Sequence, residues 1–256
     1  MSPTSHPPVA LVTGASDRIG AAIASQLGTS GYSVIVHYRS DPAGADEVKS
    51  AICKSGGHAA TIGADLTNRT ERASLIAEAA APFGPLTVLI NNASVFDPDS
   101  ALDLDEAVWD KHFAIHAEAP MFLARDFAAQ LPDGAEGNIV NMIDERVLNL
   151  SPAYFSYTLS KSVLWTATRT LAQSLAPNIR VNAIGPGPVL PHSRQSQTEF
   201  DHSVDQLPLK RHASPHDIAD GVLLLLKTGS LTGQMLALDG GEHLEFPTRA
   251  APTPRR

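Results

Sequence analysis

Val9-Ala10-Leu11-Val12-Thr13-Gly14-Ala15-Ser16-Asp17-Arg18-Ile19-Gly20 decides the fold. A short aliphatic run of the kind that fills a buried strand breaks into a glycine turn and resumes as an Ala-rich helical pattern over 19–30. Gly14 permits the tight turn, and Gly20 lets the new helix pack closely on the strand. The first turn of that helix offers free N–H groups and the positive end of its dipole to a pyrophosphate. Glycines alone are a weak signal. The strand before and the helix after turn them into a nucleotide-binding turn.

Outward from this stretch the same alternation continues. Residues 33–37, 58–63, 86–90, 138–142, 179–184 and 234–238 read as further strands, and 42–55, 69–82, 104–131, 154–176 and 215–227 as helices. Alternation of this kind implies right-handed βαβ units. The expected fold is therefore α/β and Rossmann-like: a doubly wound, seven-stranded parallel sheet with helices on both faces, in a single domain. That domain is expected over 8–246, between disordered tails at 1–7 and 247–256. Residues 187–210, rich in Pro, Ser, Gln and His, break the pattern and read either as a lid over a site or as a plain surface excursion.

Composition narrows the function. With 256 residues, 43% of them hydrophobic, the chain can bury a substantial core. A net charge of −8 argues against a nucleic-acid partner. The single cysteine, Cys53, leaves no partner for an intrachain disulfide or a cysteine zinc site, and the scattered histidines suggest no metal. The longest aliphatic run, 222–226, is too short to span a bilayer, and the N-terminus lacks a secretory pattern. No membrane association and a cytoplasmic setting are expected.

The end of the second strand selects the dinucleotide. An NAD site usually presents a carboxylate there to the ribose. This chain has His37-Tyr38-Arg39-Ser40, and Arg18 sits in the glycine turn. Guanidinium groups and a hydroxyl suit a 2′-phosphate, so NADPH/NADP+ is expected. Asp41, one position late, reads as a helix cap. Asp65-Leu66 and Asn92-Ala93-Ser94 follow the third and fourth strands, at the sheet edge where open α/β sheets bind ligands. Asp65 either accepts from the adenine amine or caps the helix that begins near Asn68.

Chemistry enters with Tyr157 and Lys161, one helical turn apart, and Asp144 thirteen residues upstream. A phenol with pKa near 10 is a poor acid–base group at neutral pH unless its anion is stabilised, which an adjacent ammonium does.

The TGxxxxxG segment at 13–20, Asn91-Asn92-Ala93, Tyr157-xxx-Lys161 and Pro186-Gly187 after Val181-Asn182 together resemble the short-chain dehydrogenase/reductase family over residues 8–245. The resemblance implies that Tyr157 is the proton donor, and that Lys161 holds the nicotinamide ribose and lowers the tyrosine pKa. It also implies a homotetramer built in part from the two long helices. Cofactor contacts are expected from Gly14, Arg18, Ile19, Gly20, His37, Tyr38, Arg39, Ser40, Asp65, Leu66, Asn92, Ala93, Ser94, Tyr157, Lys161, Pro186 and Gly187. Two positions depart from the common pattern: Arg18 replaces a glycine and Asp144 a serine. Both departures, with the His37-to-Ser40 run, Phe96, Ile115-His116 and Asp144-Glu145-Arg146, resemble pteridine reductases and bacterial dihydromonapterin reductases. A pterin or related heterocycle is the implied substrate.

Asp144 makes chemical sense in that setting. Ionised, it accepts hydrogen bonds and repels a developing oxyanion, whereas a ring reduced at C=N offers N–H donors instead. Its alternative role is to cap a turn after the fifth strand. Phe96 either stacks on a flat ring, worth about 0.5–1.5 kcal/mol beyond burial, or fills core. Arg18 and Ser94 join Asp144 and Tyr157 as expected substrate contacts. His116, where many family members carry Asn, either holds a water or packs inside its helix. Pro191 stands where the family often has a carboxamide-binding Thr. Two other readings remain: an NADPH-dependent carbonyl reductase for a 3-oxoacyl thioester or small ketone, and a non-catalytic NADP(H) sensor.

Overall fold

Each expected strand forms and pairs in parallel with its neighbours. The computed structural model describes residues 7–192 and 194–244. Its strands are β1 (Val9–Val12), β2 (Ser33–Tyr38), β3 (His58–Gly63), β4 (Val88–Asn91), β5 (Gly137–Met142), β6 (Ile179–Pro186) and β7 (Met235–Leu238). They lie in the order β3-β2-β1-β4-β5-β6-β7. The chain leaves β1 toward β2 on one side and later returns to β4 on the other. This reversal opens a crevice beyond the C-terminal strand ends, where such sheets bind ligands.

The pleat sends alternate residues to opposite faces, and the core divides accordingly. Ala10, Val12, Val34 and Val36 pack under Ile23 and Leu27 of α1 (Arg18–Thr29) and Ile218, Val222 and Leu225 of α8 (Pro215–Lys227). Val9, Leu11, Ile35 and Leu89 pack against Leu75 of α3 (Arg69–Ala80) and Leu123 and Phe127 of α5 (Ala119–Gln130). Full burial of side chains such as Phe127 contributes roughly 1.5–3 kcal/mol each. Asp41 caps α2 (Pro42–Lys54) through Gly44 N–H, as expected.

Two expectations need correction. The 104–131 helix is three pieces: α4 (Glu106–Phe113), a π-helical turn at Ala114–Glu118, and α5. Pro120 has no N–H to return to His116, and the wider turn absorbs the missing bond. The 187–210 segment is not all loop, because it carries α7 (Gln197–Gln206), opened by a capping box between Ser196 and Glu199. The long helix α6 (Phe155–Leu175) carries Tyr157 and Lys161. The tails at 1–6 and 247–256, and the last residues of the expected domain, lie outside the described residues. Among the described residues, no helix is long and apolar enough to cross a membrane.

Candidate active site

Two cavities meet at the C-terminal edge of the sheet and share Arg18, Ile19, Asn92 and Ser94. The first, about 430 Å³, is walled by Gly14, Arg18, Ile19, Gly20, His37, Arg39, Ser40, Leu66, Asn92, Ala93 and Ser94. Thr13, Gly14, Asn92 and Ala93 are laced together: Asn92 Nδ2 donates to the Thr13 and Gly14 carbonyls at 2.9 and 2.8 Å. Gly14 has φ of +61°, and a Cβ there would meet Ala93 Cα at 2.9 Å. Only glycine fits this turn. Asp17 does not cap α1 with its side chain, so the first-turn N–H groups stay open toward the cavity. Arg39 and Ser40 stand at its far end. This donor set fits a dinucleotide with an extra phosphate.

Three expected contacts sit differently. His37 is buried, and Gly14 N–H donates to its Nδ1 at 3.0 Å while Nε2–H donates to Ala64 O at 3.0 Å. Burial pushes this imidazole down to about 4, so it remains a neutral brace between the glycine turn and β3. Tyr38 points to the other side of the pleat, its ring over Gly63, and does not wall either cavity. The Asp65 carboxylate turns back to accept from Thr67 N–H and Oγ–H at 2.9 and 2.8 Å. It neither borders the cavity nor caps α3, whose cap is Asn68.

The second cavity, about 460 Å³, brings together Arg18, Ser94, Phe96, Asp144, Tyr157, Lys161, Pro186 and Gly187. The Tyr157 hydroxyl donates to Asp144 Oδ2 at 2.6 Å, and Arg146 N–H donates to Asp144 Oδ1 at 3.0 Å. Asp144 thus caps the turn after β5 and accepts from the tyrosine at once. Burial holds the carboxyl above its ordinary range, against the lowering bonds from Tyr157 and Arg146. Tyr157 is pushed well above 10 by burial first, then by the Asp144 charge and hydrogen bond. Burial and Asp144 thus outweigh whatever lowers the phenol. Lys161 Nζ donates to Met142 O at 2.8 Å and lies 5.7 Å from the Tyr157 ring centre, itself lowered to about 8 by burial.

Phe96 is stacked on Tyr154, with ring centres 4.1 Å apart and planes at 10°. One face of Phe96 is therefore already covered, and the ring also meets Tyr157 and His192 in T-shaped contacts at 4.8 and 5.7 Å. Tyr154 and Arg18 hold left-handed backbone (φ +56° and +50°), a strained choice for side chains of their size. Arg18 donates to the Pro191 and Leu190 carbonyls at 3.1 and 3.3 Å, tying the glycine turn to the 187–210 segment. His116 is buried rather than open to water, and bonds Ser94 Oγ, Val95 N–H and Ser160 Oγ.

Sequence reasoning did not single out Tyr154, His192 or Glu242 as wall residues, and gave Glu145 only as part of a motif. Glu145 is 4% exposed, and its Oε2 has no hydrogen-bond partner among the described residues. Burial, then the Glu242 and Asp144 charges, push it up to about 8. The fold thus favours the protonated form. That stabilisation is complete below the ordinary pKa of about 4.5 and is lost as pH rises through about 8. Glu145→Gln is expected to keep the neutral form at every pH. Its stability advantage in urea melts grows by order 2 kcal/mol from about pH 5 to about pH 9, after allowance for partial solvent screening. Parallel pH curves for the two proteins would contradict this.

A family model described as enoyl-(acyl carrier protein) reductase matches residues 14–243. The chain belongs to the short-chain dehydrogenase/reductase family. It is 32% identical over 286 residues to pteridine reductase 1 of Leishmania tarentolae, covering 95% of this chain and 98% of the relative. Its fold superposes with a TM-score of 0.91 on FolM alternative dihydrofolate reductase 1 from Brucella canis, solved in complex with NADP, at 45% identity over 95% of this chain and 97% of that one. A short-chain dehydrogenase/reductase from Serratia marcescens superposes at 0.86 with 29% identity, covering 92% and 98%. Within the family this chain falls in the pteridine reductase-like subgroup and is an NADPH-dependent oxidoreductase.

Proposed function

We propose that this enzyme transfers hydride from NADPH to a ring C=N of a dihydropterin such as dihydromonapterin or dihydrobiopterin, with dihydrofolate a further substrate. The observation that carries this is the 2.6 Å contact between Tyr157 and Asp144 inside the cavity that adjoins the nucleotide pocket. An ordinary carbonyl reductase needs a donor beside the carbonyl oxygen. Asp144 offers an acceptor that suits ring N–H and amino groups. When bound, NADPH supplies the hydride to carbon, and the protein must deliver a proton to nitrogen. Tyr157 gives its hydroxyl proton to the ring, and Asp144, its pKa raised by burial, returns a proton to the phenolate oxygen. The charge then rests on a carboxylate beside Arg146 and Lys161 rather than on a buried phenolate.

Arg18, Ile19, Gly14, Gly20, Arg39, Ser40, Leu66, Asn92 and Lys161 would hold the cofactor, and Arg18, Ser94, Phe96 and Asp144 the substrate. The 187–210 segment, tied to the site through Arg18, acts as its lid. The enzyme would be a cytoplasmic homotetramer, and an apolar groove of Phe113, Met121, Leu159, Val163 and Leu171 along α6 would carry one of its interfaces. NADPH oxidation is expected to be fast with 7,8-dihydrobiopterin and slow or absent with acetoacetyl thioester. Turnover of the thioester alone would overturn the reading in favour of carbonyl reduction.

A further inference from the structure

Every hydrogen bond of the buried His116 ring can be assigned a direction, and the directions fix a proton on a neighbouring side chain. Val95 N–H reaches His116 Nε2 at 3.2 Å. A backbone N–H only donates, so Nε2 carries no proton. Burial, with Lys161 and His112 close by, keeps the ring neutral. Its one proton is therefore on Nδ1, which donates to Ser160 Oγ at 2.9 Å. Ser160 in turn donates to the Tyr157 carbonyl at 2.7 Å, and the chain closes without a mismatch.

Ser94 Oγ lies 2.9 Å from the same bare Nε2. Two lone pairs facing at that distance would repel, so Ser94 donates. Of the other acceptors in reach, Val95 O is 3.5 Å away, and turning the proton to the Tyr157 hydroxyl oxygen, which Ser94 also bonds, would leave a Ser94 lone pair facing the bare Nε2. The Tyr157 proton is already engaged by Asp144. A hydroxyl has one proton, and with it turned to His116, Ser94 shows the cavity only lone pairs.

The same arrangement repeats one turn earlier. Asp97 N–H donates to His112 Nε2 at 3.3 Å, and His112 Nδ1 meets Ser156 Oγ at 2.7 Å. The two imidazoles stack 5.7 Å apart, so paired His–Ser contacts lace α4 and the π turn to α6. The orientation is thus built into the framework rather than left to one rotatable side chain.

We propose that His116 is a positioning residue that makes Ser94 a hydrogen-bond acceptor toward the substrate, so that Ser94 and Asp144 together select a ring bearing N–H donors. This rests on the dihydropterin reading above and narrows it. A carbonyl oxygen placed at Ser94 would meet lone pairs, whereas a protonated ring nitrogen or amino group finds two acceptors.

The direct test is the nitrogen-15 spectrum of His116 in the enzyme with NADP+. A protonated Nδ1 and an unprotonated Nε2 are expected. A protonated Nε2 overturns the proposal whatever the enzyme reduces. In turnover of 7,8-dihydrobiopterin, Ser94→Ala and His116→Asn are each expected to lower kcat/KM about tenfold, with NADPH affinity unchanged. The double variant should lose no more than either single one, because His116 acts through Ser94. An Asn amide can donate to Ser94 and release its hydroxyl as a donor, so His116→Asn should also raise the ratio of ketone to pterin turnover. Looser packing alone would not move that ratio. Additive losses, or an unchanged ratio, overturn the proposal. Wild-type enzyme inert toward dihydrobiopterin would sink the dihydropterin reading, while the nitrogen-15 result still decides the polarity of Ser94.

Discussion

Tyr157→Phe is expected to lower turnover by about a hundredfold to ten-thousandfold while leaving the NADPH dissociation constant within about twofold of wild type. The substitution removes one oxygen and little else. The ring keeps its edge contacts with Phe96 at 4.8 Å and His116 at 5.2 Å, so the site wall stays in place. Lys161 is anchored independently by Met142 O, and the nucleotide cavity is braced through His37 and Asn92. What disappears is the proton at the end of the 2.6 Å contact with Asp144. Without that donor the carboxyl loses a lowering interaction, and its pKa rises further. Asp144 then stands as an acid with no phenol to pass its proton through. Single-turnover measurements at saturating NADPH, alongside a fluorescence titration of NADPH binding, check both halves. Unchanged turnover would remove Tyr157 from the mechanism, and a matching loss of NADPH affinity would make its role structural.

Much of this site is legible in the sequence, and the misses have physical causes. Most of the strands were readable because a two-sided parallel sheet favours short aliphatic runs, as in Val9–Val12 and Val34 to Val36. Tyr157 and Lys161 were readable because four residues is one turn. Spacing alone could not show that the lysine bonds Met142 O, or that Asp144 pushes the phenol up rather than down. That balance depends on burial, which no local pattern reports. Tyr38 was misplaced although the pleat gives the answer: if His37 and Arg39 face the cavity, the residue between them faces away. The helix inside 187–210 had a legible start in Ser196-x-x-Glu199, hidden by the Pro- and Ser-rich composition around it. The break at 114–118 follows from Pro120, whose effect falls four residues back. Glu145 and Glu242 were out of reach. They are far apart in the chain, and the charges only meet when the short 3-10 turns Glu145–Val147 after β5 and Glu242–Leu244 after β7 fold against each other.

Asp144→Ser tests the feature that separates this chain from its carbonyl-reducing relatives. The variant should fold, since serine is as good a cap as aspartate and can accept from Arg146 N–H in the same way. Dihydropterin turnover is expected to fall about a hundredfold, because a hydroxyl cannot store a proton for Tyr157 or accept as strongly from ring N–H groups. Turnover of small ketones should rise, as the new hydroxyl is free to donate to the carbonyl oxygen, whereas the Asp144 proton is committed to Tyr157. The pH profile should change in a defined direction. Asp144 and Tyr157 share their titration, so the wild-type rate falls as pH rises through the apparent value of the pair, when the reserve proton is lost. That value lies above an ordinary carboxyl because of burial. With serine in place there is no carboxyl to titrate, and the alkaline decline moves up to the range of the phenol itself. Measuring kcat against pH for both proteins with dihydrobiopterin and a ketone separates the possibilities. A variant that keeps full dihydropterin turnover and the wild-type profile would leave Asp144 as a turn cap, and proton delivery would then belong to Tyr157 alone.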